Sequence, residues 1–404
     1  MATNKIPTLK EPRNYRNNKW TRASNSLDRN QIQRGLGIII SKIEVHPVRL
    51  EYSRPFTTAL DTSEESHNIV VKITTDHGTI GWGEASPSPR ITHETAETVL
   101  DALNKICPKL IGRNPLEVER LIEVIDRTVT DNTSAKASID IAVHDLLGKN
   151  AKMPIHRLLG GYRRKVETDY TLGIRKTEET LVEAAEAVEA GFRILKVKVG
   201  IDPKEDVERI RRIRGAVGDE IRIRIDANQG WSVRRATETL RRLKRFDLEF
   251  VEQPVKANDI KGLSQVKRTS PIPVMADESV HTPEDAITVA KAEAVDLINI
   301  KLMKSGGIWK ARKIAAIAEA ANIPCMIGCM GESNIGITAA VQLATATKNI
   351  QFADLDSDLM LKQKLVKTGG AGYDDGFRIP QESTGLGNLK IDHEFLGRPF
   401  ITFE

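Results

Sequence analysis

From residue 196 onward, charged residues recur at near-constant spacing, each closing a short apolar run: Lys196 and Lys198, Asp226, Glu252, Asp277, Lys301, then Asp354 and Asp356. The steps from Lys198 to Asp226, Glu252, Asp277 and Lys301 are 28, 26, 25 and 24 residues. Any one of these charges alone would be read as a solvated strand end. As a set they are three acids on consecutive repeats, flanked on both sides by lysines. Three converging carboxylates repel and cannot all stay ionised without a cation among them. An all-oxygen ligand set suits Mg²⁺, with waters or substrate oxygens completing the octahedron. The competing reading is three separate ion pairs with Lys or Arg, which the regular spacing disfavours.

The lysines add proton chemistry. Lys198 and Lys301 would lie across the site with the metal between them, one on each face of the α-carbon of a bound carboxylate. Coordination would stabilise the enediolate formed when the α-proton leaves. A lysine must be neutral to act as a base, and the metal and Lys196 would lower its pKa. Bases on opposite faces permit removal from one face and return on the other, which is racemisation or epimerisation. Lys196 would support this arrangement, or simply clamp the substrate anion. No histidine falls at one of these strand ends and no His-x-His pair occurs, which disfavours a zinc hydrolase. Cys107, Cys325 and Cys329 read as small buried residues, not nucleophiles or a disulfide framework.

These residues need a scaffold that brings strand ends together. From Val166, short apolar strands alternate with helices: 166–172, 194–200, 221–227, 250–253, 272–276, 297–302, 323–327 and 350–355, separated by helices such as 177–190, 203–217, 233–245, 282–292, 308–321 and 335–347. Eight such strands imply parallel pairing with right-handed crossovers. A repeat of about 25 residues fits a closed barrel, whose chemistry sits at the C-terminal strand ends. An open doubly wound sheet would want a Gly-rich phosphate turn after its first strand, and 171–176 is not one. Ahead of the barrel, alternation predicts strands at 43–52, 68–76 and 78–84. Helices follow at 92–111, 115–129 and 132–149, the last capped by Asn132 or Ser134. This is an α+β capping unit over residues 41–160, completed by about 373–404, with the barrel over 161–372.

The chain has 404 residues, 28% charged and 40% hydrophobic, with a formal charge of +5. Residues 1–40 carry eight cations against two acids, leaving the remainder at −1. The basic balance therefore belongs to a tail expected to be disordered, and neither nucleic acid nor a membrane is expected as a partner. No apolar run approaches the length of a membrane span, a cytoplasmic location is expected, and a homo-oligomer is compatible with the sequence.

Together Lys-x-Lys, Asp-x-Asn, Glu-Gln-Pro, Asp-Glu-Ser and the sixth-strand lysine resemble the enolase superfamily, muconate-lactonising subgroup, from about residue 43 to the C-terminus. The resemblance implies a (β/α)₇β modified TIM barrel with an N-terminal α+β cap. It implies Mg²⁺ on Asp226, Glu252 and Asp277, supported by Asn228 and Glu278, and proton transfer by Lys198 and Lys301. Asp354-x-Asp356 is similar to the acidic pair with which dipeptide epimerases hold a free α-ammonium, with Thr171 beside it. An N-cap role would explain one Asp but hardly two in alternation. Where L-Ala-D/L-Glu epimerases carry a loop arginine, Asp61 stands here, so a neutral or cationic second residue is expected. The alternatives are an N-acyl amino acid racemase, an o-succinylbenzoate synthase, or a non-catalytic ligand-binding barrel.

Overall fold

The computed structural model describes residues 37–404, so nearly all of the basic tail lies outside the described residues. Alternation of apolar and polar residues builds the first sheet. β1 (Ile40–Thr57) and β2 (Thr62–Thr75) form a long antiparallel hairpin, and β3 (Ile80–Ala85) pairs with β2. Residues two apart share a face. Ile43, Val45, Ile69, Val71 and Ile73 accordingly meet the apolar stripes of helices Ala96–Ile106, Val118–Thr128 and Thr133–Asn150 in one buried cluster. The third helix is not capped as its sequence suggests. Asn132 is left-handed at φ 48° and its side chain makes no capping bond. Glu94, from a distant loop, instead accepts from the Ser134 and Ala135 amides at 2.9 and 3.3 Å. A carboxylate at a helix N-terminus satisfies the orphan donors and meets the positive end of the dipole.

The expected first barrel strand, 166–172, divides in two. β4 (Val166–Glu167) leaves the barrel to pair with a C-terminal hairpin, and β5 (Tyr170–Leu172) enters it. The break falls at Thr168 and Asp169, whose side chains are committed elsewhere: Thr168 Oγ1 accepts from Leu355 N at 2.8 Å, and Asp169 pairs with Arg224 at 2.8 Å.

The barrel continues through β6 (Ile194–Lys198), β7 (Arg222–Asp226), β8 (Leu248–Glu252), β9 (Val274–Ala276), β10 (Leu297–Lys301), β11 (Cys325–Gly328) and β12 (Ile350–Asp354). All eight strands are hydrogen-bonded in chain order, each parallel to the next. Between β12 and β5 there is no ladder among the described residues. Side chains close that seam: Thr171 N donates to Asp356 Oδ2 at 2.6 Å and Thr171 Oγ1 to Asp354 Oδ1 at 3.3 Å. The surrounding helices begin where local chemistry dictates. Asp202 caps Pro203–Val217 by accepting from Lys204 N at 2.7 Å, and Val207, Ile210 and Ile213 face the barrel. Helix Ile260–Thr269 is an element the sequence pattern did not single out.

The C-terminal segment does not simply return to the first sheet. β13 (Val366–Thr368) pairs with β16 (Lys390–Ile391), while β14 (Gly372–Asp374) and β15 (Phe377–Ile379) join β4. Only β17 (Ile401–Phe403) reaches β1. Among the described residues no helix is long and apolar enough to cross a membrane.

Candidate active site

Register sets the site. Lys198 on β6 is paired with Asp226 on β7, and Asp226 with Glu252 on β8, so the three lie at one level. Lys301 on β10, Gly328 on β11 and Asp354 on β12 form a second such row. Asp277 follows β9 between the two rows. Each of Asp226, Glu252 and Asp277 is fully buried and offers a carboxylate oxygen, and these oxygens lie within 4.8 Å of one another.

The lysines pair with the acids. Lys198 Nζ lies 2.7 Å from Asp226 Oδ2, and Lys301 Nζ lies 2.8 Å from Asp277 Oδ2. Lys196 is shared among Asp354 (2.7 Å), Glu252 (2.8 Å) and Asp226 (3.2 Å). Convergence and ion pairing therefore coexist, although the sequence reading set them as alternatives. Charge decides what is left over. Asp226, Glu252, Asp277, Glu278, Asp354 and Asp356 are six buried carboxylates facing four buried ammonium groups, Lys196, Lys198, Lys301 and Lys304. With all of them ionised the excess is two negative charges, which one divalent cation would offset. Among the described residues Glu252 Oε2 meets only the Lys196 ammonium, at 2.8 Å, and the two Asp277 carboxylate oxygens only the Lys301 and Lys304 ammonium groups, so no amide or hydroxyl donor occupies these oxygens. The donor set is all oxygen. These observations fit a hard divalent cation on Asp226, Glu252 and Asp277.

The electrostatics agree. Burial, then Asp226 and Asp277, push Glu252 up to about 8. Burial and the same two aspartates push Glu278 up to about 7. Burial opposes the charge of Asp277, but Lys301 and Lys304 outweigh it and hold this group well below the carboxylate range. Burial likewise opposes the charge of Lys301, but Asp277 outweighs it and raises the lysine.

Residues whose roles the sequence did not disclose hold the ligands in place. Asn299 Nδ2 donates to Glu252 Oε1 at 2.8 Å; it lies two residues before Lys301, so alternation alone could have placed it inside. Lys304 Nζ reaches Asp277 Oδ1 at 2.5 Å and the Asn299 carbonyl at 2.9 Å. Gln253 Oε1 accepts from the Asp277 and Ser279 amides at 2.9 and 3.1 Å, tying the end of β9 to that of β8. Asn228 and Glu278, both singled out in the sequence, are joined here: Asn228 N donates to Asp226 Oδ1 at 2.8 Å and its side chain to Glu278 Oε1 at 3.2 Å. Gly328 leaves room for Lys301: a Cβ there would lie 2.8 Å from Asn299 Oδ1 and 3.1 Å from Lys301 Cε.

A cavity of about 450 Å³ opens above this layer, and Lys198, Lys301, Thr171, Asp354, Asp356 and Asn228 all line it. Asp356 precedes a short helix, Ser357–Met360, yet its side chain does not cap it; Oδ2 takes the Thr171 amide instead. Asp354 is engaged by Lys196 and Thr171. Burial, then Asp354, push Asp356 up to about 6. Cys329, expected to be inert filler, also lines the cavity, with Sγ 3.7 Å from Asp356 Oδ1. The far wall comes from the first sheet. The hairpin tip of β1 and β2 leans over the barrel mouth, where Thr57 O accepts from Ile174 N at 2.8 Å. Glu84 on β3 accepts from Ser333 and Gly336 amides at 2.9 and 2.8 Å, at the start of the helix that follows β11. Asp61 lines this wall, and Arg90 stands 3.9 Å from it.

Comparison with known proteins gives a consistent result. Residues 41–160 match the mandelate racemase/muconate lactonizing enzyme N-terminal domain, and residues 179–394 match the enolase C-terminal domain-like family. The chain is 41% identical over 353 residues to an L-Ala-D/L-Glu epimerase from Clostridium acetobutylicum, covering 87% of this chain and 98% of that protein. It is 43% identical over 336 residues to a hydrophobic dipeptide epimerase from Enterococcus faecalis, covering 83% and 95%. A crystal structure of the dipeptide epimerase from Enterococcus faecalis V583, complexed with Mg and L-Leu-L-Tyr, superposes with a TM-score of 0.84 at 42% identity, covering 87% of this chain and 99% of that one.

Proposed function

The chain belongs to the mandelate racemase/muconate lactonizing enzyme family within the enolase superfamily, and on that premise we propose that it is a dipeptide epimerase that uses Mg²⁺ and inverts the α-carbon of the C-terminal residue. The observation that carries this reading is the pair of buried lysines, Lys198 and Lys301, held on either side of the acid trio and lining one cavity with Asp354 and Asp356.

Asp226, Glu252 and Asp277 would hold the metal. When bound, it supplies positive charge for the substrate carboxylate and for the negative charge that develops as the α-proton leaves. The chain's own residues do the rest. Lys198 Nζ and Lys301 Nζ each carry or accept the proton, one for each configuration, so loss from one face and return on the other inverts the centre. Lys196 holds Glu252 and Asp354 at fixed separation from inside the barrel. Asp354 and Asp356 favour a cation at the cavity's inner wall, which suits the free ammonium of a dipeptide. Thr171, bonded to both, fixes their orientation. An N-acyl amino acid has no ammonium to place there, so these two carboxylates favour a dipeptide over an acylated substrate. A cytoplasmic setting accords with the three unpaired, buried cysteines.

The test is α-proton exchange and epimerisation of a dipeptide panel in D₂O, with Mg²⁺ and with EDTA. Lys198→Ala and Lys301→Ala should each abolish epimerisation, each losing exchange from the epimer whose proton it removes. Epimerisation that survives in Lys198→Ala would sink the two-base reading.

A further inference from the structure

The cavity's outer wall is made by two short loops whose charged residues face each other. Asp61 ends the turn between β1 and β2, and Arg90 sits in the loop after β3. Both loops are braced. Thr58 N donates to Asp61 O at 2.9 Å, and Thr58 Oγ1 accepts from the Leu60 and Asp61 amides at 3.1 and 3.4 Å, a hydroxyl-closed turn. In the other loop Thr92 N donates to Ser88 O at 2.9 Å and Ser88 N to Thr92 Oγ1 at 3.1 Å, while Pro87 and Pro89 fix the backbone on either side. The two side chains are thus held across a gap, not carried on floppy segments.

Arg90 Nε lies 3.9 Å from Asp61 Oδ2, with the side chains 62% and 42% exposed. Among the described residues neither has another ion-pair partner. The remaining charges of this wall are already engaged. Glu65 is paired with Arg49 and with His67, the latter at 2.8 Å. Glu97 lies in the first turn of helix Ala96–Ile106, where the positive end of the helix offsets its charge. Phe56, Leu60 and Ile91 add apolar groups to the same cavity lining.

We propose that Asp61 and Arg90 act as one specificity element: each cancels the other's charge, so the outer cavity selects dipeptides whose side chain there is neutral, and either residue alone would select the opposite charge. This rests on the dipeptide reading and deepens it. A substrate carboxylate approaching Arg90 also meets Asp61, and a substrate ammonium approaching Asp61 also meets Arg90. The attraction and the repulsion come from groups only 3.9 Å apart, so they nearly cancel at the distance of a third charge. What remains to distinguish substrates is the apolar surface. The pair is long and half-exposed, a type of contact with little effect on folding, so removing one partner should free the other without unfolding the protein.

The experiment compares wild type, Asp61→Asn, Arg90→Gln and the double variant. Each is given three dipeptide libraries, with neutral, acidic or basic side chains varied at either position, and kcat/KM for α-proton exchange in D₂O is read with Mg²⁺ present. Wild type should favour neutral dipeptides over both charged classes. Asp61→Asn should raise the acidic-to-neutral ratio about tenfold, and Arg90→Gln the basic-to-neutral ratio by a similar factor. The double variant should return to the wild-type ratios, and both single shifts should shrink as salt is added. Unchanged ratios in the single variants, or shifts of the same sign in both, would overturn the proposal while leaving the dipeptide reading intact. If wild type exchanges no dipeptide α-proton at all, the dipeptide reading fails and this inference falls with it.

Discussion

Two clusters of buried charge lie one layer apart inside the barrel, and they are built to different rules. The lower one centres on Arg224, two residues before Asp226 on the same strand and face. Its guanidinium is tied on two sides: Nη1 bonds Asp169 at 2.8 Å and the Ala353 carbonyl at 2.9 Å, and Nε bonds Glu249 at 2.7 Å. It also lies over Phe250 and Phe352, 5.0 and 5.4 Å from the ring centroids. The upper cluster has more acids than lysines, and its Lys198, Lys301, Asp354 and Asp356 line the cavity, which Arg224 and Asp169 do not. Buried charge alone therefore does not mark a catalytic site. A cluster closed off from the cavity is a structural tie, and one that lines the cavity with excess acid offers a place for a ligand's positive charge.

This contrast can be tested from the strongest effect downward. Lys301→Ala should lower epimerisation at least about 10³-fold in protein that still folds with Mg²⁺ present, read by steady-state kinetics with urea titration as the control. Arg224→Met should do the reverse in character, costing about 3–5 kcal/mol of stability by stranding Asp169; adding Asp169→Leu should recover most of it in the same urea titration. Saturating Mg²⁺ should stabilise the protein by about 2.7 kcal/mol at 100 times its Kd, as a rise in Tm over EDTA-treated protein. Asp226→Asn should lose that response, and the Asp169/Arg224 double variant should keep it. Gly328→Ala, which crowds Lys301 and Asn299 without touching a ligand, should cut kcat on the order of 10²-fold while the fold is retained; an unchanged kcat would mean that the Lys301 position tolerates displacement.

The last effect is graded with pH and concerns a buried acid outside both clusters. Burial, with Glu84 adding repulsion, pushes Glu332 up to about 8. The folded protein then keeps a proton that the unfolded chain releases above about 4.5. Stability should fall as pH rises between those values, by up to about 1.4 kcal/mol per pH unit. Glu332→Gln should flatten that part of the Tm–pH curve, and an unchanged slope would assign it to another group.

Much of this was legible before any coordinates. The strand ends carrying Lys198, Asp226, Glu252, Asp277 and Lys301 follow from short apolar runs at a steady interval, and their convergence follows from the barrel such runs require. Boundaries moved by no more than two residues at the barrel strands after the first, since apolar patterning does not mark where a ladder stops. Larger departures have one cause. The division of 166–172, the capping of Thr133–Asn150 by Glu94, and the pairing of Asp61 with Arg90 all depend on partners brought near by folding, from 29 to 187 residues away.

The sequence by itself determined the inventory and the order: which charged residues end which strands, which faces are apolar, and that three consecutive acids are flanked by lysines around one mouth. These are local properties, carried by residue type and by the period of two along a strand. Only the tertiary structure decided which charges are already spent and which remain for a ligand. Arg224 and Lys196 occupy equivalent places on neighbouring strands and read alike in the sequence, yet one is closed off by Asp169, Glu249 and a carbonyl, and the other holds the acids of the active layer apart. The physical reason is that satisfaction of a buried charge is a property of its neighbours in space, and register and barrel closure set those neighbours.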